Sequence, residues 1–119
     1  MASYSGIFLD EPSRKKLLRK FKLPVGWKPY SEHMTIKLGN LPDNLKSQIG
    51  KKLNITINKI GISDTNIALG VDTKLSNNKI PHITFAVDTD HGGRPKDSNQ
   101  IKKWKKIPPI SVSGTLLEK

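Results

Sequence analysis

Apolar and polar positions along the chain change period several times, and each change marks an element. Tyr4 to Leu9 reads as a strand leading into a helix. Asp10 or Ser13 can cap that helix, Pro12 suits its first turn, and Leu17, Leu18 and Phe21 form its apolar face. Pro24, Gly26 and Pro29 mark a loop, after which His33 to Leu38 reads as a strand. Pro42-Asp43 starts a short helix that carries Leu45 and Ile49 and closes near Gly50. Leu53, Ile55 and Ile57 alternate cleanly, whereas Ile60 and Ile62 fall in the opposite phase, which predicts a bulge around Asn58-Lys59. Ile67, Leu69 and Val71 alternate again, so residues 53–72 read as a hairpin turned near Ser63-Asp64. Asn77-Asn78 make a turn before a strand from Pro81 to Val87. A polar loop through Asp90, His91, Gly92, Gly93, Arg94 and Pro95 follows. Ser98 then caps a helix whose buried side is Ile101 and Trp104, and after Pro108-Pro109 the last strand runs from Ile110 to Leu117.

That order, β-α-β-α-β-β-β-α-β with hairpins in place of regular helical crossovers, predicts an α+β fold with mainly antiparallel pairing. The length of 119 residues fits one domain over residues 1–119, and no low-complexity linker divides it. No apolar run approaches membrane-spanning length, so no membrane partner is expected. Met1-Ala2-Ser3-Tyr4 lacks a basic flank followed by a long apolar segment, which argues against a secretory leader. The chain has no cysteine. Disulfides, thiolate metal sites and a thiol nucleophile are thereby removed together, and a cytoplasmic monomer is the expectation.

Charge changes the picture. Twenty-one basic against ten acidic residues leave a formal +11, which attracts polyanions, and phosphate is the commonest of these inside cells. Arg14, Lys15, Lys16, Arg19, Lys20 and Lys22 cluster on the first helix, and Lys102-Lys103 and Lys105-Lys106 form a second solvated basic run. Charge alone does not separate cutting nucleic acid from binding it.

Chemistry enters with a repeated tetrapeptide. His33-Met34-Thr35-Ile36 and His82-Ile83-Thr84-Phe85 share the order His, apolar, Thr, apolar. Alternate residues of a strand face the same way, so each copy anchors two apolar side chains in the core and presents an imidazole beside a hydroxyl. One copy would be ordinary decoration on a wet strand face, where Thr has good propensity. Two matched copies reverse that judgement. Two imidazoles that titrate near neutrality can take a proton from an attacking hydroxyl and return one to a leaving oxygen. The threonine hydroxyls Thr35 and Thr84 can hold the non-bridging oxygens of a phosphate between them. The pattern does not say which histidine is acid and which base. No metal or other cofactor is needed in this scheme. A zinc alternative wants a third ligand, and the one acidic neighbour, Glu32, is expected on the opposite strand face.

Paired H-x-T-x motifs are the signature of the 2H phosphoesterase superfamily, and this chain resembles its small LigT-like members. Gly6-Ile7-Phe8-Leu9-Asp10 with the Leu17-Leu18 helix is similar to their opening strand and helix. Gly93, Pro95, Asp97-Ser98-Asn99 and Trp104 are similar to the loop and helix after their second motif, so the likeness covers nearly the whole chain. The resemblance implies two antiparallel sheets facing across a V-shaped cleft with one motif on each side. It implies phosphodiesterase activity with His33 and His82 catalytic, on 2′,3′-cyclic phosphates, 2′-5′ linkages or cyclic and linear oligonucleotide signals. Members occur in RNA repair, and viral members destroy nucleotide second messengers of host defence.

Around the motifs, Tyr30 is the better candidate to stack on a nucleobase, with Trp27 equally explained by packing. Arg94 and Lys96 are placed to hold phosphate, His91 reads as a loop histidine and Trp104 as core. The competing functional reading is a non-catalytic RNA-binding module, or a sponge for nucleotide signals. It accounts for the charge but leaves the duplicated motif without a purpose.

Overall fold

The computed structural model describes residues 3–76 and 78–119. Strand β1 (Tyr4–Leu9) is followed by helix α1 (Glu11–Lys20), then β2 (Lys28–Pro29) and β3 (His33–Leu38). A 3-10 helix at Asp43–Gln48 leads to β4 (Lys52–Ile62), β5 (Asn66–Asp72) and β6 (His82–Val87). Two further 3-10 helices, Thr89–His91 and Pro95–Gln100, precede β7 (Trp104–Glu118). The fold is α+β, dominated by its sheet. Asn77, half of the expected turn, and Met1-Ala2 lie outside the described residues.

The strands lie in the order β2-β6-β3-β1-β7-β4-β5, and β5 also pairs with β6. All pairings are antiparallel, so six strands close into a barrel, with β2 a short strand on the same edge of β6 as β3. Hydrogen bonding therefore connects the strands into one sheet, where the resemblance implied two. The weakest seam is β3 against β6, joined by the single register pair Met34 and Ile83.

Local sequence explains most of the elements. Asp10 caps α1 by accepting from the Ser13 N–H at 2.9 Å, with Pro12 in the first turn. The other Asp10 oxygen accepts from the Ser113 hydroxyl and meets Lys52 Nζ at 3.3 Å, which ties the helix start to β7 and β4. Those hydrogen bonds hold the Asp10 carboxyl well below the usual carboxylate range. Leu17 faces the barrel and is fully buried, while Leu18 is largely exposed.

The bulge expected at Asn58-Lys59 is present as a register slip between Ile57 and Lys59. Across that slip Ile57 pairs with Ile110 and Lys59 with Lys106, so residues 107–109 of β7 oppose only Asn58. Pro108 and Pro109 sit in that slack. Prolines lack the N–H that a regular ladder would require, and a bulge is where a strand tolerates them. The sequence reading that put a break at Pro108-Pro109 and a helix before it is thus corrected. The stretch from Trp104 is strand, and only Pro95–Gln100 is helical, as 3-10 turns. Trp104 donates its indole N–H to the Ile101 carbonyl at 3.1 Å, a bond made by chain that has already left the helix.

Candidate active site

The motif strands occupy β3 and β6, and their apolar halves behave as the alternation requires. Met34, Ile36, Ile83 and Phe85 are fully buried inside the barrel. Each contributes roughly 1.5–3 kcal/mol on burial, so a one-residue slip that exposed them would be strongly disfavoured. His33, Thr35, His82 and Thr84 are consequently fixed on the outer wall.

The pairing of β3 with β6 turns two copies of one motif into one site. Met34 pairs with Ile83 in antiparallel sense. That direction brackets the pair with His33 and Thr84 on one side and Thr35 and His82 on the other. Each imidazole is set toward the hydroxyl of the other motif, related by a local two-fold axis through the Met34–Ile83 pair. All four side chains line one cleft of about 680 Å3. Tyr4, Tyr30, Glu32, Lys37, Lys96 and Asn99 contribute to the same wall.

His82 is anchored. Its Nδ1 lies 2.8 Å from the Ile80 carbonyl oxygen, which can only accept, so Nδ1 carries a proton and Nε2 of the neutral ring is an acceptor. Burial lowers the pKa of His82 below the ordinary 6.5, with the Ile80 hydrogen bond opposing. His33 is held differently. Its ring lies between those of Tyr4 and Phe8, each centroid 5.1 Å away, because Phe8 pairs with His33 and Tyr4 lies farther along the same face of β1. Its Nδ1 is buried without a hydrogen-bond partner. A buried N–H is rarely left unpaired, which favours the tautomer with the His33 proton on Nε2. Burial lowers the His33 pKa as well; Glu32 pushes it up, and the nearby His82 pushes it down.

Glu32 corrects an expectation. Alternation put it on the face opposite His33, yet it lines the cleft and acts on His33 electrostatically. Ser31, just before it, is a non-glycine residue at φ 57 in the left-handed region. The Ser31 N–H donates to the Thr84 carbonyl at 2.8 Å and the Tyr30 N–H to the Phe85 carbonyl at 2.8 Å. Strand β3 begins at His33, so Glu32 lies outside the strand and alternation does not extend back to it. Strain of the kind at Ser31 costs about 1–3 kcal/mol and is held by the surrounding hydrogen bonds.

Thr84 is oriented by a chain of polar groups. Thr65 donates its hydroxyl to Asn66 Oδ1 at 2.7 Å, which fixes the amide so that Nδ2 donates to Ser98 Oγ at 3.1 Å and to the Arg94 carbonyl at 2.9 Å. Ser98 Oγ lies 2.9 Å from Thr84 Oγ1. Accepting from Asn66 leaves the Ser98 proton for Thr84, and the Thr84 hydroxyl donates in turn to the Pro95 carbonyl at 3.4 Å. Asn66 and Ser98 are buried, so this chain also docks the Pro95–Gln100 turn on β5.

Of the remaining candidates, Tyr30 lines the cleft, with Lys28 Nζ 5.4 Å from its ring centre, and Trp27 packs on the core. Lys96 lines the cleft; Arg94 is not among its lining residues and enters the site through its carbonyl. His91 is exposed and pairs with Asp88 at 2.7 Å, which raises its pKa. Lys37, which the sequence did not point to, lines the cleft together with Leu38, beyond a register slip against β1 that alternation from Thr35 does not foresee. Asn66 and Ser98 had no signal in the sequence either. Among the described residues, no group of three or more His, Cys, Asp or Glu side chains is gathered to hold a metal ion. A scan of protein-family models and a search of the curated proteins return no match to this chain.

Proposed function

We propose that the chain is a 2H-type phosphodiesterase that cleaves phosphodiester bonds of small oligonucleotides or cyclic nucleotides by two-histidine acid–base catalysis. The observation that carries this reading is the single Met34–Ile83 pairing, which sets both H-x-T motifs about one cleft. A phosphate in that cleft lies between the two imidazoles, with Thr35 and Thr84 on its non-bridging oxygens and Lys37 and Lys96 supplying positive charge. A six-strand barrel with a weak β3–β6 seam is compatible with a LigT-like arrangement whose two halves meet at the motifs.

The hydrogen bonding divides the roles. His82, with Nδ1–H held by Ile80, presents the Nε2 lone pair and acts as base on water or a ribose hydroxyl. As its proton moves to His82, the nucleophile's oxygen bonds to phosphorus and the bond to the leaving oxygen breaks. The leaving oxygen takes a proton from His33; burial and the unpartnered Nδ1 work against its imidazolium, and Glu32 and the bound anion support it. In the reverse direction the two exchange tasks.

A product screen tests the reading. The protein is incubated with 2′,3′-cyclic nucleotides, 2′-5′ oligoadenylate, and cyclic di- and trinucleotides, and products are resolved by mass. Cleavage of at least one class is expected. Recovery of every substrate intact, with tight binding of one of them, would establish the binding module or sponge instead.

A further inference from the structure

A second groove, of about 600 Å3, adjoins the histidine cleft and shares Asn78 and Asn99 with it. Its charged lining residues are Lys79 and Lys102, both cations, and Gln100 and Trp104 complete the chemistry. Trp104 is fixed on two sides. A Cβ on Gly61 would fall 2.7 Å from the indole ring, so only glycine lets β4 approach so closely, and the indole N–H is spent on the Ile101 carbonyl. The ring centre lies 6.4 Å from that of His82. An immobile aromatic surface, two cations and three side-chain amides therefore stand one residue-width from the base assigned to the reaction.

We infer that this groove is a subsite for a second nucleotide, the one joined to the reacting phosphate on its His82 side. The base packs on Trp104 within reach of the Asn78, Asn99 and Gln100 amides, and its further phosphate meets Lys79 and Lys102. Stacking on an aromatic ring and a cation for each phosphate are the two terms by which single strands are held. The inference rests on the phosphodiesterase reading and deepens it: the substrate is a di- or oligonucleotide, linear or cyclic, and a 2′,3′-cyclic mononucleotide fills only the histidine cleft.

The experiment compares Kd for AMP and for a 5′-phosphorylated 2′-5′ diadenylate in the intact chain and in Lys79→Ala/Lys102→Ala, together with cleavage of both the diadenylate and adenosine 2′,3′-cyclic phosphate. Both lysines are exposed and the pair is expected to leave the fold intact. The expected result is diadenylate bound at least about tenfold more tightly than AMP, from one stacked base and the cations on its phosphate together, and a several-fold loss of that preference in the variant, which keeps Trp104. Cleavage of the cyclic mononucleotide stays within about twofold. Equal affinities in the intact chain, or an unchanged preference in the variant, overturns the subsite. Mononucleotide cleavage without the preference leaves the phosphodiesterase reading and removes the groove; the preference without cleavage of either substrate does the reverse.

Discussion

The two histidines are buried enough that neither is readily charged in the free protein. Depressed folded pKa values contribute stability that is present above the unfolded value of 6.5 and lost as pH falls through the folded values. Acid catalysis needs one of them protonated. The singly protonated pair is most populated on the acid side of 6.5, so kcat/KM should peak there. In the complex the bound phosphate favours the charged form, and the kcat profile should extend to higher pH. Glu32→Gln removes the charge that supports His33, and should move the basic limb of kcat/KM to lower pH with little change in melting temperature. A basic limb that stays in place would show that Glu32 does not tune His33. Asp10 is a structural counterpart. Asp10→Ala should cost about 1–2 kcal/mol, read as a lower urea midpoint, because a helix cap and the ties to Ser113 and Lys52 go together. That contribution is present above pH 3.8 and fades as pH falls through the depressed folded value.

Among the elements, β1 is crowded by backbone on both flanks. A Cβ on Gly6 would lie 2.5 Å from the Met34 carbonyl oxygen, and one on Gly114 2.5 Å from that of Phe8. Both obstacles are backbone and cannot rotate away, so Gly6→Ala should destabilise by about 1–3 kcal/mol in chemical denaturation and loosen β3, lowering activity with it. The strand and hairpin pattern was legible because period-2 alternation at 53–57 and in both motifs reports one buried face directly, and at 67–71, where both faces are buried, the small Ala68 and Gly70 keep the alternation visible. The bulge at Asn58-Lys59 was legible as a change of phase. Its partner was not, since which strand a bulge opposes is a tertiary fact, and Pro108-Pro109 therefore read as an end when they sit inside β7. Trp104 and Ile101 misled for a related reason: a three-residue spacing fits a helix face, yet here it spans a 3-10 exit and the first residue of a strand. Glu32 was misplaced because it stands just before β3, where strand alternation no longer holds, and nothing in the letters marks His33 as the first residue of the strand.

At the scale of the whole molecule, the H-x-T repeat disclosed the four central groups, but their meeting depends on a β3–β6 seam that no single-strand pattern contains. The barrel that makes the seam closes through β5 and β6, strands whose pairing follows from the fold's connectivity. No helix among the described residues is long and apolar enough to cross a membrane. The +11 charge belongs to this scale too. It should speed capture of an anionic substrate, so raising ionic strength is expected to lower kcat/KM several-fold while kcat holds. A kcat that falls in parallel would place the charge effect in the chemical step instead.

The most direct measurement is the cleavage rate, with EDTA present, of the intact chain beside His33→Ala, His82→Ala and the double variant, each checked for an unchanged fold by circular dichroism. If the two rings serve one phosphorus in one transition state, each single variant loses at least about 100-fold and the double variant loses scarcely more than the worse single. Full activity in either single variant would contradict the account.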